Sequence, residues 1–365
     1  MALVIKGGFD PYVSPPPNVY LSPSDRHILE YESAPLRMSW KKSGSEETER
    51  WQLMTRAKLA ELSGYSCGDA VHIDVNENQT HQDKNGISRR SMYLCSAERN
   101  DIPVHFIWCP DIAGDRDLPV IICLQGTHCG AHLSWADVRD PLDHMRIAQG
   151  YAMAIDAAER GYLAVCVENS CCGERLERKI EPRSIDPCVD AVHHTLLLGR
   201  TLLGDQARDV SSVVTYLLFN APDLSIDSNR IYIMGHSSGG TVALFTAALD
   251  TRISGVIASG CIGLMRDTIG RRRDASGHNV IPGILNWMEL DDIVGLCAPR
   301  PFITISGEAD HIWPFSGAMR VVQSANRIYE VFNAKDQLKA VSAKGSHQFH
   351  RKVAWETFDQ MFHGA

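Results

Sequence analysis

The chain predicts an α/β protein in which a mostly parallel, doubly wound central sheet is flanked by helices. Two observations carry that fold class. From about residue 89 onward, short apolar runs alternate with longer helical stretches, the rhythm of strand-helix-strand crossovers. The run Val120-Ile121-Ile122-Cys123-Leu124 shows no polar alternation, as expected of a strand covered on both faces. A third observation places the chemistry: Ile231-Tyr232-Ile233-Met234 leads through Gly235-His236-Ser237-Ser238-Gly239-Gly240 into Thr241-Val242-Ala243-Leu244-Phe245. This reads as a buried strand, a sharp turn and a helix.

The 365 residues suit one large α/β domain with extensions, although two domains would also fit, and supply ample chain for a core. Residues 1–88 read as an N-terminal extension and 89–365 as the catalytic domain. The first 44 residues are rich in Pro, Ser and Gly, including Pro15-Pro16-Pro17, and should run over the surface or arm a neighbouring subunit, which leaves a homo-oligomer open. At Ser43-Gly44-Ser45-Glu46 a capping-box pattern opens a helix through Trp51, Met54, Ala57 and Leu62, and Gly64 stops it. A hydrophobic share of 44% with 22% charged residues describes an ordinary soluble protein, and the net charge of −8 argues against nucleic acid or an anionic membrane as partner. No apolar run is long enough to span a bilayer and Met1–Gly8 lacks a signal-peptide core, so a cytoplasmic address is the default. Eleven scattered cysteines, several inside predicted strands (Cys109, Cys123, Cys166), suit reduced thiols. The Cys-x-x-Cys spacing of a zinc site is missing, so neither metal nor cofactor is expected.

The predicted strands continue with Ser91–Cys95, Val104–Cys109, Val120–Leu124 and Leu163–Glu168. The loop after the last of these carries Cys171-Cys172-Gly173-Glu174-Arg175; Glu174 and Arg175 are candidates to shape a pocket, or else form an ion pair that pins the loop. A long helical region from about Asp190 to Asn220 then leads to the strand before Ser237.

Gly-x-Ser-x-Gly has a physical reason. A sharp strand-to-helix turn strains the serine backbone, and only glycine two residues to either side lets the chain close. The turn lifts the Ser237 hydroxyl out of the sheet and leaves the Ser238 amide at a free helix end, where an oxyanion can be held. A serine hydroxyl needs a base, and the base an acid to orient it. The strand Pro301–Gly307 ends near Asp310, the preferred acid; Glu308 in the same turn and the Asp291-Asp292 pair are rivals. The strand Leu338–Ser342 opens into Gly345-Ser346-His347-Gln348-Phe349, with His347 the preferred base and His350 its rival. Parallel sheets collect catalytic groups at the carboxyl ends of their strands, where three such side chains can converge.

These motifs, together with Cys172-Gly173-Glu174-Arg175, Leu196–Leu202, Asn279–Leu285, Ala298-Pro299-Arg300-Pro301 and Gly307-Glu308-Ala309-Asp310, resemble the α/β-hydrolase superfamily. Within it the likeness is to dienelactone-hydrolase-like and acetyl-xylan-esterase-like serine hydrolases, from about Trp51 to the end. The resemblance implies the α/β-hydrolase fold and a Ser-Asp-His triad. It also implies a second oxyanion amide in the loop Gln125-Gly126-Thr127-His128, where position-matching assigns Thr127, with Gln125 in place of the usual histidine. His128 is a candidate substrate contact beside that loop, or a structural histidine. The segment 262–297 exceeds a simple crossover and reads as a partial lid. Its Arg271-Arg272-Arg273 run is either an anchor for a substrate carboxylate or solvated surface.

The expected activity is hydrolysis of a small-molecule carboxylic ester (small, sugar-linked or lactone) through an acyl-enzyme. A carbon–carbon hydrolase or peptidase with the same residues, and a silent binding protein, are the alternatives.

Overall fold

In the computed structural model the sheet has nine strands: β1 Asp74–Gln82, β2 Ser88–Ala97, β3 Asn100–Trp108, β4 Leu118–Leu124, β5 Leu163–Val167, β6 Ile226–His236, β7 Gly255–Ser259, β8 Phe302–Gly307 and β9 Leu338–Ala343. The structure describes residues 13–14, 16–66, 74–82, 86–97, 100–114, 116–177, 187–219, 225–271 and 277–362. The strands lie in the order β1-β2-β3-β5-β4-β6-β7-β8-β9. β1 to β3 pair antiparallel, and β3 meets β5 antiparallel. From β5 through β4 to β9 every pairing is parallel. From β4 the chain passes to β5 on one side and then crosses to β6 on the other. The carboxyl ends of β4 and β6 therefore flank a topological switch point, where an open sheet leaves a crevice for ligands.

The expected lack of alternation in β4 is found: all seven residues are buried. The period-2 pleat still sorts them. Val120, Ile122 and Leu124 enter one core with Ile231, Ile233, Val256, Ala258 and Phe302, while Ile121 and Cys123 enter the opposite core with Tyr232, Met234, Ile257, Ile303 and Ile305.

The helices are α1 Pro23–Glu32, α2 Ser45–Ser63, α3 Pro110–Ala113, α4 Asp143–Arg146, α5 Met153–Ala158, α6 Pro187–Leu197, α7 Leu202–Phe219, α8 Ser238–Leu249, α9 Leu290–Gly295, α10 Phe315–Val331 and α11 Arg351–Phe362. α7, α8, α9 and α10 feed the first core, α5 and α11 the second. Among the described residues no helix is long and apolar enough to cross a membrane, and no cluster of three or more His, Cys, Asp or Glu is arranged to hold a metal ion.

Several elements differ from the sequence reading. β1 lies inside the 1–88 stretch read as an extension. Its sequence has a single apolar residue, Val75, and its strand character comes from the antiparallel ladder to β2. α1 forms within the Pro-rich arm because Ser22 Oγ caps the Ser24 amide at 3.2 Å and Pro23 opens the first turn, yet it buries no residue. The expected capping box at Ser43 does not form. Gly44 is the N-cap, and Ser43 Oγ sits 3.1 Å from Thr48 Oγ1 instead. The helical region after Asp190 is two helices, broken at Gly199 (φ 74°), with Thr201 Oγ1 accepting the Gly204 amide at 3.0 Å to start α7.

α2 is fastened to the sheet domain through buried backbone carbonyls. Gln52 Nε2 donates to Gly295 and Ala298 oxygens at 3.0 and 2.8 Å, and Arg56 donates to Ala248 and Leu296 oxygens at 2.7 and 3.0 Å. Arg56 and Arg300, the latter reaching the Ala247 oxygen at 2.6 Å, satisfy the last carbonyls of α8 and set two cations at its negative end. The helix behind Ser237 is thus held at its far end.

Candidate active site

Ser237 joins β6 to α8 with φ 56° and ψ −124°, a conformation that an L side chain rarely adopts. The two motif glycines are required by close approach. A Cβ on Gly235 would lie 2.2 Å from the Gly239 oxygen, and one on Gly239 would lie 2.4 Å from the Leu124 oxygen at the end of β4. The Ser237 amide donates to the Ser259 oxygen of β7 at 2.8 Å, which fixes the turn to the sheet.

Three strand ends meet here. Ser237 Oγ lies 3.0 Å from His347 Nε2, in the loop after β9, and His347 Nδ1 lies 2.8 Å from Asp310 Oδ2, in the loop after β8. The other oxygen of Asp310 accepts the Ile312 and Trp313 amides, both at 2.9 Å. Burial by itself would raise the Asp310 carboxyl, but the His347 hydrogen bond and the two amides outweigh it and hold the group below the usual carboxylate range. The buried ring of His236 lies beneath His347, centroids 4.6 Å apart, and desolvation, reinforced by His347, keeps its pKa well below the ordinary value. A neutral neighbour leaves room for a positive charge on His347. Sequence reasoning passed over His236, although its place directly before Ser237 was a signal.

The rival acids and the rival base lie elsewhere. Glu308 is exposed, and no hydrogen bond joins it to His347. Asp291 bonds Ser324 Oγ. Asp292 accepts the Trp40 and Glu289 amides at 2.8 and 3.0 Å and closes a capping box at the start of α9. His350 Nε2 contacts the Ser346 oxygen at 3.2 Å, bracing the loop that presents His347.

The loop after β4 packs on the serine turn: a Cβ on Gly126 would be 3.3 Å from the His236 oxygen and 3.4 Å from Ser237 Cβ. Gln125 turns inward, donating to Ser134 Oγ at 2.6 Å and the Tyr151 oxygen at 2.9 Å. It works as a brace. The Thr127 and Ser238 amides donate to no acceptor among the described residues, and Thr127 Oγ1 lies 3.5 Å from His278 Nε2. His128, at φ 58°, is exposed and meets Cys188 of α6.

Glu174 and Arg175 do not pair with each other. Glu174 takes Arg139 at 3.2 Å, while Arg175 takes Asp209 at 2.7 Å and Asn100 Oδ1 at 2.8 Å. Adjacent residues on a short turn point in different directions, so the loop is pinned by two outside partners. Of the Arg271–Arg273 run, Arg271 pairs with Glu32 at 2.7 Å; Arg272 and Arg273 lie outside the described residues.

Glu168, also missed from sequence, ties the two loops together by accepting the Ala131 amide at 3.0 Å. Burial pushes its carboxyl up to about 7, against the lowering effect of that amide. The folded state therefore holds a proton that the unfolded chain releases near its ordinary value, and this group's contribution to stability declines as pH rises from about 4.5 to about 7. Glu168→Gln is expected to flatten that decline, by up to ~3 kcal/mol. Urea midpoints of both proteins across this range test it, and parallel pH profiles would refute it.

Two comparison structures share this arrangement of elements. A Bacteroides fragilis protein assigned as an acetyl xylan esterase superposes with a TM-score of 0.71 at 18% identity, covering 94% of this chain and 90% of its own. A glucuronoyl esterase from Solibacter usitatus gives 0.69 at 15% identity, covering 90% and 96%. The chain has the α/β-hydrolase fold. The BD-FAE family model matches residues 191–295 of this chain, the stretch containing Ser237. A Bacillus subtilis protein described as a hydrolase, YtaP, is 26% identical over 155 residues, 42% of this chain and 50% of the relative. The chain spans half or less of the length of the curated relatives it matches.

Residues near 31, 265 and 281 line a partly open cavity of about 600 Å³, with Tyr31, Pro35, Met265, Ile269, Ile281 and Leu285 among its walls. It touches none of Ser237, Asp310 or His347. A narrower crevice lined by Thr241, Cys261 and Trp313 shares Met265, Ile269 and Asn279 with it. Thr241 lies one helical turn past Ser237 and Trp313 donates to Asp310, but none of Ser237, Asp310 or His347 lines this crevice.

Proposed function

We propose that this protein hydrolyses carboxylic esters of small or sugar-linked substrates through an acyl-enzyme on Ser237. The observation that carries the reading is the continuous hydrogen-bond chain from Ser237 Oγ to His347 at 3.0 Å and on to Asp310 at 2.8 Å. His347 Nε2 takes the hydroxyl proton as Oγ attacks the ester carbonyl. Asp310 accepts the hydrogen bond from Nδ1–H, holds the reactive tautomer and stabilises the imidazolium. The Ser238 and Thr127 amides receive the oxyanion, and His347 returns the proton to the leaving alcohol. Water then repeats the attack on the acyl-enzyme and frees the acid.

The named esterases with the same fold support the ester over other bonds as the substrate.

A fluorophosphonate probe is expected to label the native protein at Ser237, because only a serine activated by a base forms that adduct. Peptide mapping reads the site. Failure to label, alongside failure to turn over acetyl, feruloyl and lactone substrates, would favour a silent binding protein.

A further inference from the structure

Away from the serine, three thiols crowd one place. Cys171 Sγ lies 3.0 Å from Cys188 Sγ, about 1 Å longer than a disulfide bond. Cys188 Sγ also sits 3.6 Å from the Cys171 oxygen. Cys172 packs in the same small apolar nest, walled by Ala191, Val192 and Leu202. The backbone holds the contact: Cys171 is at φ 65°, left-handed for a residue with a side chain, and its amide donates to the Arg175 oxygen at 3.1 Å. A strained position that brings one sulfur against another on a different element is a reason to look for chemistry there.

We propose that Cys171 and Cys188 form a dithiol site for hydrogen peroxide, closing to a reversible disulfide beside the loop that carries Thr127. The sulfur that attacks must be a thiolate. Hydrogen bonds from Cys171 and Cys172 lower the Cys188 thiol, burial opposes them, and His128 adds to the lowering. Bonds to Cys171 and Cys188, together with burial, push the Cys172 thiol well up, the opposite direction to Cys188. All three sulfurs lie in buried residues while His128 beside them is exposed, a setting that excludes bulky disulfides.

The chemistry balances with peroxide alone. The Cys188 thiolate attacks one peroxide oxygen and the O–O bond breaks, giving a sulfenic acid and a hydroxide that leaves as water after taking a proton. The Cys171 sulfur then attacks the Cys188 sulfur, the S–O bond breaks, and the departing hydroxide takes the Cys171 proton as a second water. Two sulfurs give up two electrons and peroxide accepts them. Because Cys188 meets His128, and His128 follows Thr127 directly, closure shifts the side chain that abuts the oxyanion loop.

The test uses the full-length protein exposed to hydrogen peroxide, blocked with iodoacetamide and mapped by mass spectrometry after trypsin. Arg175 lies between the two cysteines, so they fall on separate peptides. A cross-linked Cys171–Cys188 pair is expected, lost on dithiothreitol treatment and absent in Cys188→Ser, while Cys172→Ser retains it. Recovery of both residues as free alkylated thiols after peroxide would overturn the proposal, and the wild-type map alone decides this if a variant fails to fold. The mass readout stands whether or not the ester reading holds. Turnover of a nitrophenyl ester is expected to fall at least fivefold as the cross-link accumulates and to return with dithiothreitol. An unchanged rate in the cross-linked protein would overturn the link to the Thr127 loop.

Discussion

Ser237→Ala is expected to lower the turnover of a short nitrophenyl ester by roughly 10⁶-fold and to abolish fluorophosphonate labelling, with the thermal midpoint almost unchanged. Removing the hydroxyl takes away the nucleophile but little structure. The Ser237 side chain lies 3.0 Å from His347 Nε2 across a half-buried space, and the turn itself is held by the backbone bond from the Ser237 amide to the Ser259 oxygen. Alanine keeps the Cβ, so the φ of 56° costs the variant about what it costs the native chain. What remains after the loss is the contribution of the oxyanion amides and binding, of order 10³ to 10⁴ over water. Steady-state rates on carefully purified variant, beside a denaturation curve, read both quantities. A variant within tenfold of the native rate would remove Ser237 from the mechanism.

Much of this site was legible because its residues are fixed by backbone geometry. Gly235 and Gly239 report carbonyls within 2.4 Å of any added Cβ, a constraint that leaves a mark in the sequence. β8 and β9 could be read as apolar strands, so Asp310 and His347 could be placed at their ends. The failures have a different physical character. β1 is made by pairing with β2 and has almost no apolar pattern to announce it. The partners of Glu174 and Arg175 are Arg139 and Asp209, residues that approach only after the chain folds, and nothing in the adjacent letters Glu-Arg says that the two side chains diverge. Glu168 and His236 escaped for the same reason: their importance comes from burial against a neighbour, and burial of a polar group is a tertiary fact. The larger cavity joins residues near 31, 265 and 281, whose juxtaposition has no periodicity at all.

The assignment of the acid gives the second large effect. Asp310→Asn is expected to reduce kcat by about 10⁴-fold, while Glu308→Gln stays within threefold. The reason lies in how the carboxylate is shared. One oxygen of Asp310 accepts the Ile312 and Trp313 amides, so the asparagine carbonyl is drawn to that position, since only an oxygen can accept both. Its NH₂ group is then left facing His347 Nδ1, 2.8 Å away in the native protein. A donor there forces Nδ1 to be the acceptor, and the imidazole proton moves to Nε2, the nitrogen that must take the serine proton. The base is present but in the wrong tautomer, and the imidazolium also loses its counter-charge. Glu308, exposed and unbonded to His347, has no such lever. Because the Asp310 carboxyl is held below the usual carboxylate range, native kcat should lose nothing to its protonation until the pH falls below that range, and the asparagine variant should stay slow across neutral pH. Rates for both variants across that span decide the matter. An asparagine variant within tenfold of native, or a larger loss from Glu308→Gln, would transfer the orienting role away from Asp310.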